Sequence, residues 1–221
     1  MKKFSPIKIS PSILACDFAH LADEVIKVEK AGAEYLHLDV MDGIFVPNIS
    51  FGMGTIAAAR KYSNAVFDVH LMITEPVRYI AEFKKAGADI ITIHYESCSN
   101  PLDVVKQIKD LGVKAGITIK PKTSANVLDD FIEYVDMVLI MTVEPGFGGQ
   151  TFIPETEDKI KYAAQLIKQS GREIDLEVDG GITPENVHIS INAGANVIVA
   201  GNAIFKAEDT NYIIKQFRRT V

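Results

Sequence analysis

Eight short runs of nearly unbroken apolar residues recur along the chain, each followed by a longer stretch in which apolar residues return every three or four positions. The runs are Ile7–Leu14, Tyr35–Met41, Val66–Met72, Ile90–His94, Lys114–Ile119, Met137–Val143, Asp175–Asp179 and Asn196–Ala200. Their length and β-branched content predict strands, and continuous apolarity predicts strands covered on both faces. The stretches between them read as amphipathic helices. In Ala19–Ala31, for example, Leu21, Val25, Val28 and Ala31 fall at helical spacing while Asp23, Glu24, Lys27 and Lys30 stay polar.

A weak internal repeat reinforces this alternation. Ala31-Gly32-Ala33, Ala86-Gly87-Ala88, Leu111-Gly112-Val113 and Ala193-Gly194-Ala195 each close a helical pattern and lead into a strand. Glycine fits there because the end of a helix favours a left-handed residue before a sharp turn. Eight repeated βα units imply right-handed crossovers and a parallel sheet that can close on itself. The expectation is a single-domain (β/α)₈ TIM barrel spanning residues 1–221, since no Pro- or Ser-rich linker interrupts it. An open doubly wound sheet is the structural rival, but the first strand runs into Ser12-Ile13-Leu14-Ala15-Cys16-Asp17 without a glycine-rich turn.

Chemistry in such barrels sits at the C-terminal ends of the strands, where this chain places unusual polarity. Alternation puts His37, Asp39 and Met41 on one face of the second strand, and Asp68, His70 and Met72 together on the third. The seventh strand ends Glu177-Val178-Asp179-Gly180-Gly181. His37, Asp39, His70 and Asp179 therefore form a candidate metal set for one divalent ion per subunit. A mixed nitrogen and oxygen set suits Zn²⁺ first, and also Fe²⁺, Mn²⁺ or Co²⁺. Any one of these residues alone reads more simply as a packed histidine or a turn-forming aspartate. Asp68 and Glu177, one inward step deeper, are expected to support His70 and Asp179. His94, ending the fourth strand, reads as a packing residue.

A divalent ion beside two carboxylates points to proton transfer next to a carbonyl through a metal-stabilised enediolate. Asp39 and Asp179 come from opposed strands and are the expected catalytic acid/base pair. Met41, Met72 and Met141 would surround the reacting carbons with soft, water-excluding bulk. Glycine clusters follow the last three strands: Gly146-Phe147-Gly148-Gly149, Gly180-Gly181 and Gly201-Asn202. Backbone N–H groups in such loops approach an anion closely, and this end of the barrel is a common phosphate site.

Composition narrows the partners. The chain has 221 residues, 48% of them hydrophobic, and a formal net charge of −6. That balance argues against a general nucleic-acid binder and leaves a small phosphorylated substrate open. Cys16 and Cys98 match no disulfide or metal spacing and read as reduced thiols. Met1–Pro6 lacks the apolar core of a signal peptide, and no run approaches membrane-spanning length. A cytoplasmic protein without membrane contact is expected.

Several segments together resemble the ribulose-phosphate 3-epimerase family over nearly the whole chain. They are Ser10–Leu14, His37–Gly43 with Phe45–Asn48, His70–Met72, Met141–Gln150 and Glu177–Ile182. The resemblance implies an isomerase of pentose phosphate metabolism that interconverts D-ribulose 5-phosphate and D-xylulose 5-phosphate. It implies metal ligation by His37, Asp39, His70 and Asp179, acid/base roles for Asp39 and Asp179, and substrate contacts from Ser12 and His70. The late glycines would hold the 5-phosphate, and homo-oligomerisation is compatible with the family. Asn202 departs from the small hydroxyl residue usual after Gly201, and Lys122 from a usually small residue. The rivals are an epimerase for a six-carbon ketose phosphate and a metal-free barrel. Met41 stands where a decarboxylase would have lysine, and Lys120 is the one inward lysine available to an aldolase.

Overall fold

The computed structural model describes residues 7–218, so the expected lack of an apolar leader over Met1–Pro6 lies outside the described residues. The strands are β1 (Lys8–Pro11), β2 (Tyr35–Met41), β3 (Val66–Met72), β4 (Ile90–His94), β5 (Lys114–Ile119), β6 (Met137–Met141), β7 (Asp175–Asp179) and β8 (Val197–Ala200). All paired strands run parallel, in the order β1-β8-β7-β6-β5-β4-β3-β2. A parallel bridge between Ser12 and His37 joins the two ends and closes the ring. The helices are α1 (Leu21–Lys30), α2 (Met53–Arg60), α3 (Ile80–Ala86), α4 (Pro101–Asp110), α5 (Glu157–Ser170), α6 (Val187–Ala193), α7 (Asn202–Phe205) and α8 (Thr210–Arg218). The connection from β5 to β6 carries a 3₁₀ segment, Ala125–Asp130. No helix among the described residues is long and apolar enough to cross a membrane.

Strand alternation sorts the core into two regions. Outward residues such as Leu36, Leu38 and Val40 of β2 pack with helix residues such as Val25, Ile56 and Phe83. Burial of each such side chain contributes about 1.5–3 kcal/mol, so this belt carries most of the stability. The inner face begins with an apolar floor of Tyr35, Ile90, Met137 and Val197. Below it, Lys8 Nζ and the Tyr35 hydroxyl both donate to Asp175 at 2.7 Å. Above it, the interior turns polar. The glycines of the repeat take positive φ at helix ends, as with Gly87 (109°) and Gly194 (116°).

Besides one-residue shifts at the starts of β1 and β8, three boundaries differ from the sequence pattern. β1 stops at Pro11, and Ile13–Ala15 forms a 3₁₀ turn. The apolar run continues because Ile13 is fully buried beneath that turn and Leu14 lines the cleft above. β6 stops at Met141: Thr142 N–H still donates to Asp179 O of β7, but the Thr142 carbonyl turns away to accept from Ile153 N–H. The helical pattern at Ala19–Ala31 divides into a 3₁₀ turn at Phe18–His20 and α1.

Gly116 of β5 lies beside Thr92 of β4 inside the barrel. A Cβ at Gly116 would collide with Thr92 Oγ1, so the glycine makes room for the buried threonine. Gly116→Ala should destabilise the fold by about 1–3 kcal/mol, the usual scale of overpacking. Adding Thr92→Ala should recover most of that loss. Denaturant midpoints of the two single variants and the double variant test this, and additive losses would refute steric coupling.

Candidate active site

Parallel strands with matched register place side chains of one parity at one height inside the barrel. Register pairs His37 with Asp68 and Asp39 with His70, and it pairs Met141 with Asp179 on the facing wall. His37 Nε2, Asp39 Oδ1 and His70 Nδ1 lie 3.2 Å from one another. Asp179 Oδ2 lies 3.8 Å from the first and 3.9 Å from the last. A tetrahedral shell with bonds of about 2.0–2.2 Å has edges of about 3.3–3.6 Å, so these four atoms can share one cation. The structure thus brings together all four residues of the expected metal set.

The groups behind the donors settle which nitrogen faces inward. His37 Nδ1 lies 2.6 Å from Asp68 Oδ2, so its N–H donates there and Nε2 keeps a lone pair for the site. Asp68 therefore supports His37, not His70 as its place in the Asp68-Val69-His70 sequence suggested. Glu177 does not reach Asp179 as an anchor; its Oε1 lies 3.7 Å from His37 Nδ1. Both Glu177 oxygens are buried without a hydrogen-bond partner. Burial, then the charge of Asp68, pushes this carboxyl well above its ordinary range, which favours the neutral acid.

The two expected catalytic carboxyls have opposite tendencies. Burial works to raise Asp39, but the adjacent His37 and His70 outweigh it and hold Asp39 well below the usual carboxylate range. Burial, then the negative charge of Asp39, pushes Asp179 up to about 6. A pair driven apart in this way favours one ionised base and one proton-bearing acid. Burial also opposes a charge on His37, yet Asp39 and Asp68 prevail and raise it well above the ordinary imidazole value. Without a metal, these two carboxylates favour a proton on His37 between them. Ser12 Oγ donates to Asp39 Oδ2 at 2.5 Å, so the residue closing the ring also orients the carboxylate.

Above this centre opens a cleft of about 530 Å³. Ser12, Asp39, Met41, Met72, Met141, Gly146, Phe147, Gly148, Gly149, Asp179, Gly180, Gly181, Gly201 and Asn202 all line it. His70, also expected to touch substrate, is not among the lining residues; it is fully buried beneath them with His37. Among the described residues, no lysine or arginine lines the cleft. The loops after β2 and β6 are joined by Asn48 Nδ2 donating to Gly146 O at 2.8 Å. Gln150 Nε2 donates to Glu144 O and Phe147 O, which shapes the loop after β6. Asp42 accepts from the N–H groups of Ile44, Phe45 and Thr74, tying the loop after β2 to the one after β3.

The late glycines are set by close approach. A Cβ at Gly181 would collide with the backbone N of Phe152, and one at Gly201 would lie 3.1 Å from Ala15 Cβ. The Asn202 amide reaches toward Gly149, where a Cβ would come within 2.8 Å of Nδ2. Sequence reasoning missed Asn48, Ser50 and Gln150 as loop anchors. The first and last lay inside the quoted motifs, but the partner of Asn48 is distant along the chain, and Gln150 binds carbonyls of its own loop, which only the loop's conformation reveals. Ser50 Oγ donates to Asp39 O at 2.6 Å and accepts from Met41 N–H, pinning the end of β2.

Fold and site together define a (β/α)₈ barrel with a histidine–carboxylate centre beneath a glycine-rich cleft. The model of the ribulose-phosphate 3 epimerase family matches residues 8–205, and the chain belongs to that family. The ribulose-phosphate 3-epimerase of Bacillus subtilis (strain 168) is 46% identical over 96% of this chain and 98% of its own. The ribulose-5-phosphate-3-epimerase, chloroplastic, of Arabidopsis thaliana is also 46% identical, over 96% of this chain and 76% of its own. Among solved structures, a mutant tryptophan synthase alpha-subunit from Pyrococcus furiosus aligns with a TM-score of 0.72 at 15% identity, covering 100% of this chain and 99% of the other. At that identity the likeness concerns the fold alone.

Metal binding must displace protons here, since His37 is raised and Asp179 sits at about 6. Protonated ligands dominate below those values, so Zn²⁺ affinity should fall as pH drops through about 6, with proton release measurable by calorimetry in different buffers. Asp68→Asn should weaken Zn²⁺ binding by about 10–100-fold, because it removes the anion that orients His37. Affinity independent of pH between 5 and 8 would contradict this account.

Proposed function

We propose that this chain is a metal-dependent ribulose-phosphate 3-epimerase acting on D-ribulose 5-phosphate and D-xylulose 5-phosphate. The observation that carries the reading is the convergence of His37 Nε2, Asp39 Oδ1, His70 Nδ1 and Asp179 Oδ2 beneath the cleft. Two lone-pair nitrogens and two carboxylates packed this closely fit a divalent cation, which would balance their charge. When bound, such an ion favours loss of a proton from the carbon beside a carbonyl by offsetting the negative charge that develops.

The remaining chemistry belongs to the protein. Epimerisation at carbon 3 needs a base on one face of the sugar and an acid on the other. Asp39 and Asp179 rise from β2 and β7, and their opposed ionisation supplies one of each. In the forward direction Asp39 accepts the carbon-bound proton and Asp179 returns one from the opposite face; the reverse reaction exchanges these roles. Ser12 holds Asp39 in position through its Oδ2. Met41, Met72 and Met141 line the cleft with soft side chains that keep water from the reacting carbons.

Phosphate binding falls to the loops after β6, β7 and β8. Among the described residues the cleft lining offers no cationic side chain, which favours neutral donors for the anion. The first N–H groups of α7 have no acceptor within their own helix, and Asn202 at its start adds an amide donor beside Gly149.

Asp39→Asn and Asp179→Asn should each lower kcat by at least about 10²–10⁴-fold, the span typical of lost acid/base catalysis. Solvent deuterium should enter carbon 3 in the native enzyme and not in either variant. Near-native turnover with metal retained would defeat the pairing. Parallel assays with allulose 6-phosphate decide between the pentose reading and a six-carbon substrate.

For the phosphate grip, Asn202→Ala should cost about 0.5–1.5 kcal/mol in kcat/KM, the scale of one hydrogen bond. Gly201→Val should cost considerably more, because its branches would occupy the approach to the backbone beside Ala15. Equal impairment of Gly201→Val toward ribulose 5-phosphate and unphosphorylated ribulose would remove the phosphate from this loop.

A further inference from the structure

His37 offers Nε2 because Asp68 holds its Nδ1, whereas His70 offers Nδ1 and is backed by a different group. His70 Nδ1 faces Asp39 and His37, while its Nε2 lies 2.9 Å from Nε2 of His94, the last residue of β4. Both rings are fully buried. Their centroids are 5.0 Å apart and their planes differ by only 25°, so with nitrogens at 2.9 Å the rings meet edge to edge and nearly coplanar. That is the geometry of an N–H aimed along a facing lone pair.

Proton counting then fixes both rings. A nitrogen that gives its lone pair to a cation carries no hydrogen, so a neutral His70 bound through Nδ1 holds its proton on Nε2. The facing Nε2 of His94 must accept it, which puts the His94 proton on Nδ1. His94 Nδ1 lies 3.4 Å from Glu96 Oε2; both atoms are buried and neither has a hydrogen-bond partner, so each faces the other as its nearest polar group of opposite character. The other oxygen of Glu96 accepts from Lys120 N–H at 2.9 Å and from Thr123 Oγ1, so the carboxylate is anchored. Phe45, from the loop after β2, packs against the His94 ring with centroids 4.8 Å apart. Lys120 Nζ lies 3.9 Å above Phe45 and covers that contact.

We propose that His94, oriented by Glu96 and clamped by Phe45, is a positioning residue that fixes the tautomer and ring plane of His70 so that its Nδ1 receives a divalent cation. The inference rests on the four-residue cation site proposed above. It assigns His94 a task beyond the packing role read from its sequence, and it makes Glu96 the outer end of an Asp39–His70–His94–Glu96 line. His94 does not touch the cleft, so it acts only through His70.

The test measures Zn²⁺ affinity by chelator competition, and the visible spectrum of the Co²⁺-loaded protein, in the native chain, His94→Phe, His94→Gln and Glu96→Gln. His94→Phe keeps a planar ring but removes the acceptor, and should weaken Zn²⁺ binding by about 10–100-fold and alter the Co²⁺ bands. His94→Gln retains an acceptor oxygen and should restore most of the affinity. Glu96→Gln should give a smaller loss in the same direction. In ¹⁵N spectra of the native metal-loaded protein, the His70 proton should reside on Nε2. Should His94→Phe prove unfolded, the Gln variants and the ¹⁵N assignment still decide the matter. Native affinity in folded His94→Phe, equal losses in the Phe and Gln variants, or a His70 proton on Nδ1 would overturn the proposal. If the native chain itself binds neither Zn²⁺ nor Co²⁺, the cation site fails first, which separates that failure from this one.

Discussion

Removing acidic and imidazole groups from water is the constraint that organises the upper half of this barrel. Asp39, Asp68, Glu177 and Asp179 share it with His37, His70 and His94, and all but Asp179 are essentially buried. Each isolated ion there would lose several kcal/mol of hydration, so the groups survive only through mutual pairing, neutralisation or an added cation. Each remedy is visible. His37 lies between Asp39 and Asp68, Glu177 is driven toward its neutral form, and four donor atoms converge where a cation would balance the remainder. The apolar belt outside the strands stabilises the fold, and that stability is what allows so costly a cluster to be held at its centre.

The same cluster joins ring closure to chemistry. β1 and β2 meet at the Ser12–His37 bridge, and those two residues also hold Asp39 and the candidate cation position. A change in how the ring closes would therefore move a carboxylate. Around the mouth, Asp42 and Asn48 tie the loop after β2 to the loops after β3 and β6. The cleft is thus bounded by loops bonded to one another above a rigid base, which suits proton transfer that depends on fixed positions.

How much of this was legible follows from what sequence periodicity encodes. Alternation along one strand correctly grouped His37, Asp39 and Met41, because side-chain parity is a local property. Glycine at helix ends revealed the number of βα units for the same reason. Register between strands is not local, and there the reading failed. Asp68 and His70 look like partners two residues apart, yet that spacing along a strand is about 6.6 Å, whereas a neighbouring strand lies about 4.8 Å away. Register sets Asp68 beside His37, and the 2.6 Å contact follows. His94 was read as packing because nothing within β4 shows that it meets His70 edge to edge. Strand ends were misjudged where apolar residues serve a buried turn, as Ile13 does.

The two histidines facing the cation position use different ring nitrogens because different groups stand behind them. His37 is backed by a carboxylate, which makes its Nε2 the more basic donor. His70 is backed by an imidazole, which supplies direction without charge. That difference accords with the local charge count. His70 already faces Asp39 at 3.2 Å with Asp179 nearby, and a carboxylate in place of His94 would add another anion to the crowded interior. Placing the negative charge one group further out, on Glu96, lets the backbone N–H of Lys120 and the hydroxyl of Thr123 satisfy it near the rim. A neutral ring between His70 and that charge therefore orients the ligand at less electrostatic cost than a second direct carboxylate would.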